Sequence, residues 1–146
     1  MSSFHDSVRD AIYSTIVSTG AAPAAADIAG LYGVPIGDVE AAFHALADAH
    51  VIVLQPGTHD LAWAPPFSAL PTPYKARVAA TSWFAPCAWD AFGIPAALNE
   101  DAVVDATCAW SGEALDCGVS NGRAYGGAVI HLLVPAAHFW DDIFFT

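Results

Sequence analysis

The amino-acid sequence predicts an α+β protein, in which a three-helix module with a hairpin precedes a small, mostly antiparallel sheet with one packed helix. Two observations lead to this prediction. Apolar residues recur every three or four positions through the first fifty residues, which is typical of amphipathic helices. Beyond them, short β-branched or alternating runs are separated by Pro, Gly and Asn turns, which is typical of antiparallel strands. We expect two domains, 1–66 and 67–146.

The first two helices are predicted from their apolar stripes and their boundary residues. One helix covers 6–18, with Asp6 as its cap and Gly20 at its end. Its inward stripe is formed by Val8, Ile12 and Ile16. A short alanine-rich helix opens at Pro23 and ends at Gly33. We expect this second helix to carry inward Ile28 and Leu31.

A third helix and a hairpin complete the N-terminal module. The helix covers 38–50, and its inward stripe is formed by Val39, Phe43 and Leu46. Two short strands, 51–54 and 61–63, flank a Pro-Gly turn. Three helices followed by a hairpin make the winged-helix pattern. DNA binding is nevertheless not expected, because the helix that would enter the groove carries three acids and no Lys or Arg.

The composition argues against several classes of partner. Four Lys and Arg against fifteen Asp and Glu give a net charge of −11, which repels nucleic acids and anionic membranes. Although 55% of the residues are hydrophobic, no uncharged apolar run is long enough to predict a transmembrane helix. The start lacks the pattern of a signal peptide, and three cysteines are an odd count for a disulfide scaffold. We therefore expect a cytoplasmic protein with free thiols.

The second half is predicted to be mostly sheet. A proline-rich stretch, 64–73, resembles a linker in which Phe67 packs against a neighbour. Strands are then predicted at 74–80, 102–108, 114–119 and 127–134, with turns at 110–113 and 120–122 and a last aromatic segment at 138–145. Between the first two strands, Pro86 suits the first position of a helix that Gly93 and Pro95 end.

The helix after Pro86 carries a cysteine and a carboxyl group on one face, since Cys87 and Asp90 are three residues apart. A soft nucleophile beside a carboxyl group is an arrangement capable of chemistry. The alternative is that Cys87 is a small core residue and Asp90 a solvated one.

The order of elements and two motifs resemble the organomercurial (alkylmercury) lyase family over nearly the whole chain. The first motif is the stretch 83–98, in which two aromatic residues precede Cys87, Asp90 and a Pro-Ala-Leu ending. The second is the stretch 107–112, in which Cys108 precedes a Gly-containing hairpin. The resemblance implies protonolysis of R–Hg⁺ to a hydrocarbon and Hg(II).

This resemblance also implies the roles of individual residues. Cys87 would be the nucleophile and mercury ligand, Asp90 the proton shuttle and a further metal contact, and Cys108 a structural residue on a buried strand. Thiolates are natural ligands of soft Hg(II), so we expect the site to favour the thiolate, with help from the helix dipole at Cys87. No cofactor is implied, because mercury is substrate and product. A small-molecule substrate and low-molecular-weight thiols are the expected partners, without nucleic acid or membrane.

One family feature is missing. The family has a second catalytic cysteine just before a late Phe-Phe pair, where this chain has Phe139 or Trp140. Three explanations stay open. Cys117 supplies the second catalytic, mercury-binding thiol, against the alternative that it is a buried strand residue. The chain is a shortened one, and the thiol lay beyond Thr146. A diverged member acts on another carbon–heteroatom bond or holds a soft metal such as copper.

Two further groups of residues and two other functions have alternative interpretations. Trp83, Trp89 and Trp110 are candidates either for the walls of an apolar pocket around Cys87 or for core. The run from His138 to Asp141 and Asp142 is loose for a metal site and more typical of a solvated turn. A non-catalytic binder of mercury or copper is the alternative from another functional class, and a DNA-binding regulator is disfavoured by the acidic third helix.

Overall fold

The computed structural model describes residues 3–145 as four α-helices and eight strands. The helices are α1 (Phe4–Thr19), α2 (Ala25–Tyr32), α3 (Ile36–Asp48) and α4 (Ala88–Leu98). The strands are β1 (Val53–Leu54), β2 (Leu61–Ala64), β3 (Phe67–Ser68), β4 (Lys75–Val78), β5 (Thr81–Phe84), β6 (Ala102–Asp105), β7 (Cys117–Ser120) and β8 (Arg123–Tyr125). A 3₁₀ helix spans Ala136–His138. The expectations about the start of the chain and about a continuation past Thr146 lie outside the described residues.

Helix α1 confirms the predicted stripe but starts earlier than predicted. Ser3, not Asp6, is the N-cap, because the Asp6 backbone N–H donates to the Ser3 hydroxyl oxygen at 3.2 Å. In return, the Asp6 carboxylate accepts the Ser3 N–H at 3.0 Å. This reciprocal capping box satisfies two N–H groups that a helix start otherwise leaves unpaired. The helix ends at Gly20, whose φ of 78° suits glycine.

The prediction for α2 is half right. Ile28 is buried, but Leu31 is 67% exposed, so the expectation that both point inward is wrong. The buried face of this helix is narrow, and its other members are Ala25 and Ala29. At 100° per residue, Leu31 falls about 110° from the centre of that face. The predicted stripe of α3 is confirmed, since its three members are all buried.

All eight strands form one antiparallel sheet in the order β1-β2-β3-β5-β4-β6-β7-β8. The predicted hairpin is the β1–β2 pair. The stretch predicted as a linker instead contributes β3, which pairs with both β2 and β5. Its Phe67 is 2% exposed, as the packing prediction required. Strands of the same sheet therefore lie on both sides of residue 66. The division into domains 1–66 and 67–146 stays a prediction.

The predicted strand at 127–134 is wrong. Among the described residues the last strand is β8, and two apolar residues of the predicted run, Val129 and Leu133, are 89% and 70% exposed. Gly126 explains the end of β8, because its φ is 117° and a Cβ there would lie 2.7 Å from the Cβ of Cys117. The backbone turns at this close approach instead of continuing along the sheet.

One face of the sheet carries α4. Trp83, Ala76, Val104 and Cys117 are direct cross-strand partners, so their side chains form one row on the same face. All four are buried, and they share a hydrophobic core with Ala91 and Ile94 of α4. Within residues 3–145 no helix is long and apolar enough to cross a membrane.

Candidate active site

Strand β5 delivers the chain to the start of α4 at Cys87. The Thr72 hydroxyl donates to the Ala85 carbonyl oxygen at 2.6 Å, and the Ala85 N–H donates to the Tyr74 carbonyl oxygen at 3.1 Å. The backbone two residues before Cys87 is thus hydrogen-bonded through both its C=O and its N–H group. Sequence reasoning did not identify Thr72, since nothing in the sequence pairs it with a residue thirteen positions away.

Helix α4 differs from the prediction at both ends. Cys87 is its N-cap, in an extended conformation with φ −145°, and Pro86 lies outside the helix. The helix also continues past Gly93 and Pro95 to Leu98. Pro95 removes only one helical hydrogen bond and is itself buried, so packing outweighs the local preference against proline.

Cys87 and Asp90 contact each other directly. The Cys87 Sγ lies 3.2 Å from the Asp90 Oδ2, and the thiol donates to the carboxylate. Because Cys87 is the N-cap and Asp90 the third residue of the helix, the cap geometry brings the two side chains together. Both residues are half-buried, so the pair lies at the edge of the core rather than inside it.

Burial raises the pKa of both members of this pair. Desolvation is the main cause that raises the pKa of the Cys87 thiol, and the charge and hydrogen bond of Asp90 raise it further. The N–H groups of Asp90 and Trp89 lower the pKa of Cys87 without outweighing these causes. Desolvation also raises the pKa of Asp90, while its hydrogen bond from Cys87 lowers it. The expectation that the free site favours a thiolate is therefore wrong, because desolvation exceeds the help from the helix start.

The Cys117 thiol bonds a different partner from the Cys87 thiol. It is 4% exposed at the start of β7, and its Sγ lies 3.5 Å from the Val104 carbonyl oxygen. Burial raises the pKa of its thiol, with further contributions from the negative charges of Asp116 and Asp105. Among the described residues, no three His, Cys, Asp or Glu side chains come together in a group that could hold a metal ion. The catalytic and metal-binding roles predicted for Cys117 stay predictions.

The expectation that Cys108 lies on a buried strand is wrong, because β6 ends at Asp105. It opens a turn in which its carbonyl oxygen accepts the Gly112 N–H at 2.8 Å, and its side chain is half-buried. A hydrogen bond from the Ser111 hydroxyl is the main cause that lowers the pKa of Cys108, followed by the N–H groups of Ser111 and Trp110.

The three tryptophans differ in their burial. Trp89 and Trp110 are 65% and 97% exposed, so neither is a core residue. Trp83 is a core residue, and its indole N–H donates to the Ile16 carbonyl oxygen at 2.8 Å. A cavity of about 340 Å³ beside the α1–α2 loop is lined in part by Phe84, but not by the Cys87–Asp90 pair.

The late aromatic segment packs against the N-terminal half. Trp140, one of the two residues that we expected where the resemblance implies a late cysteine, stacks on His50 with ring centroids 4.0 Å apart. Phe144 packs on Trp63 of β2 at 4.8 Å. His138 Nδ1 lies 2.9 Å from the Asp141 carboxylate at the surface, within hydrogen-bond distance and in a solvated turn.

Comparison with known proteins decides the family. The family model described as alkylmercury lyase matches residues 67–144, more than half of the chain and including Cys87 and Asp90. The chain belongs to the alkylmercury lyase family. A solved structure, the mercury-bound form of MerB2, has the same fold as this chain, with a TM-score of 0.65 and 22% sequence identity. The alignment covers 86% of this chain and 60% of that one, so this chain spans about 60% of the length of MerB2. No curated protein is significantly similar to the chain in sequence.

Proposed function

We propose that this chain cleaves carbon–mercury bonds by protonolysis, with Cys87 as the mercury-binding thiol and Asp90 as the proton shuttle. The observation that carries the proposal is the 3.2 Å contact between the Cys87 Sγ and the Asp90 Oδ2 at the start of α4. Membership of the alkylmercury lyase family supports this class of reaction, and MerB2 was solved with mercury bound.

Mercury binding supplies the driving force for the first proton transfer. Burial raises the pKa of Cys87, so the thiol keeps its proton until substrate arrives. Coordination to a soft cation makes a thiol far more acidic, because only the thiolate is a ligand. As the Cys87–mercury bond forms, the proton moves to the carboxylate that already accepts the thiol's hydrogen bond.

The second transfer breaks the carbon–mercury bond. Each thiolate on mercury raises the electron density in that bond and makes its carbon more basic. The proton on Asp90 passes to this carbon, the bonding electron pair forms the new C–H bond, and Hg(II) stays with its thiolates. Desolvation raises the pKa of Asp90, which lets this carboxyl group carry a proton between the two steps.

The second thiolate is proposed to come from a low-molecular-weight thiol. Cys117 is 4% exposed and bonded to a strand carbonyl, so it would need local opening of β7 before it could bind mercury. A free thiol reaches a half-buried Cys87 without such a change. The two sources make different predictions for Cys117→Ala.

Headspace detection of methane from methylmercury, with excess thiol, tests the proposal. We expect methane from the wild type, none from Cys87→Ser, and wild-type rates from Cys108→Ser as the matched control. If Cys117→Ala abolishes methane in a folded protein, Cys117 is the second thiol instead. If the wild type binds mercury through Cys87 but releases no methane, the chain is a soft-metal binder and the lyase proposal is wrong.

A further inference from the structure

Two histidines on separate elements meet at the surface, outside the Cys87 site. His44 lies in α3, and His59 lies in the turn between β1 and β2. The His44 Nε2 and the His59 Nδ1 are 2.8 Å apart, and the ring planes are nearly perpendicular, at 89°. Both residues are exposed. The contact joins positions fifteen residues apart in the sequence.

The backbone around both histidines is held in place before any ligand arrives. His44 follows Phe43, which is fully buried in the core and fixes this part of α3. In the turn, the Gln55 N–H donates to the Asp60 carbonyl oxygen at 2.9 Å, and the Asp60 N–H donates to the Thr58 hydroxyl oxygen at 3.1 Å. His59 lies between Thr58 and Asp60, which these bonds hold in place, so both imidazoles are attached to ordered backbone.

The distance between the two nitrogens matches that of neighbouring ligands on one metal ion. Two nitrogens each about 2.0 Å from a metal, at about 90°, are roughly 2.8 Å apart. The separation between the His44 Nε2 and the His59 Nδ1 is also 2.8 Å, which a hydrogen bond between the two rings sets in the free protein, and a metal ion would take the place of the shared proton. Imidazole nitrogen at this 90° angle suits Cu²⁺ and Ni²⁺, whereas the tetrahedral angle that Zn²⁺ prefers would separate two such nitrogens by about 3.3 Å. The net charge of −11, with Asp48 one turn after His44 and Asp60 beside His59, favours the approach of any cation.

We propose that His44 and His59 form a bidentate site for a borderline divalent metal ion, with water filling the remaining coordination positions. The site links α3 to the β1–β2 turn and is independent of Cys87. By the usual order of divalent affinities, Cu²⁺ binds more tightly there than Ni²⁺ or Zn²⁺.

Ni²⁺ is the probe for the test, because it does not oxidise thiols. The protein carries Cys87→Ser and Cys108→Ser, so that the accessible thiols do not contribute, and Ni²⁺ is titrated by calorimetry. We expect one ion per chain. Either His44→Ala or His59→Ala should weaken binding by on the order of tenfold or more, since the second ligand acts at high effective concentration.

The matched control removes two other exposed histidines, in the variant His5→Ala/His131→Ala, and we expect it to leave the Ni²⁺ affinity unchanged. Circular dichroism checks the fold of each variant, and both tested positions are exposed, so folding is expected to survive. The proposal is overturned if His44→Ala and His59→Ala bind Ni²⁺ as tightly as their parent, or if the control loses as much affinity as they do.

Discussion

Replacing Asp90 by asparagine removes the negative charge nearest to the Cys87 sulfur and keeps the size of the side chain. Asp90 raises the pKa of Cys87 through its charge and its hydrogen bond, while its backbone N–H acts in the opposite direction. Asparagine loses the first two effects and keeps the third. The pKa of Cys87 should therefore fall in Asp90→Asn, and more thiolate should be present at neutral pH.

The size of the effect follows from the 3.2 Å separation between the Cys87 Sγ and the Asp90 Oδ2. In water, two unit charges at this distance repel by about 1.3 kcal/mol, close to a tenfold change in thiolate population. The half-buried position makes this a lower bound. Alkylation of Cys87 by iodoacetamide at pH 7 should thus be about tenfold faster in Asp90→Asn, because the thiolate is the reacting form.

Methane formation should change in the other direction. Loss of a proton shuttle typically slows a reaction by about 10²- to 10⁴-fold. The assay is site-resolved mass spectrometry of alkylated peptides, run beside the methane assay, since Cys108 is also accessible. Glu100→Gln, just after α4, is the matched control and should change neither rate. Alkylation of Cys87 that is unchanged or slower in Asp90→Asn would refute the reasoning.

Three further predictions concern packing, and urea denaturation measures each. A Cβ on Gly93 would lie 3.2 Å from the Pro66 Cβ, so Gly93→Val should cost about 1–3 kcal/mol of stability through overpacking and should slow methane formation by shifting α4; an unchanged midpoint would contradict this close approach. Trp83→Phe should cost about 1–3 kcal/mol, since the smaller ring leaves a gap in the core and removes one of the two N–H donors to the Ile16 carbonyl oxygen, which keeps the bond from Gly20; a neutral result would contradict both contributions. Ile28→Ala should cost about 2–5 kcal/mol and Leu31→Ala less than about 0.5, because only the first is buried; equal costs would contradict the orientation of α2.

The first half of the fold was predictable because its signals are local. The stripes of α1 and α3 repeat over three turns or more, so the buried face is well determined. Helix α2 has eight residues and an alanine-rich buried face, so hydrophobicity alone could not place Leu31. The strand predicted at 127–134 failed for a related reason. An apolar run shows that a strand is possible there, but the close approach of Gly126 to Cys117 depends on tertiary contacts.

The candidate pair was predictable, but its electrostatics were not. Spacing alone places Cys87 and Asp90 on one side of a helix start, and the 3.2 Å contact agrees with that prediction. The direction of the pKa shift of Cys87 depends on how much water the surrounding side chains exclude, which the sequence does not display. The position of Cys117 likewise follows from its cross-strand partner Val104, and its exposure could not be predicted from spacing.

The hydrogen bond from the Trp83 indole to the Ile16 carbonyl oxygen ties the end of α1 to the strand that leads into Cys87. Opening of the N-terminal helices would break this bond and hydrate the back of β5, so the two halves should unfold as one cooperative unit. The slowest-exchanging amides should then include both α1 and β5. In such an arrangement, a solvent or a substitution that loosens the N-terminal helices also loosens the strand that leads into Cys87, even though Cys87 itself lies in the other half of the chain.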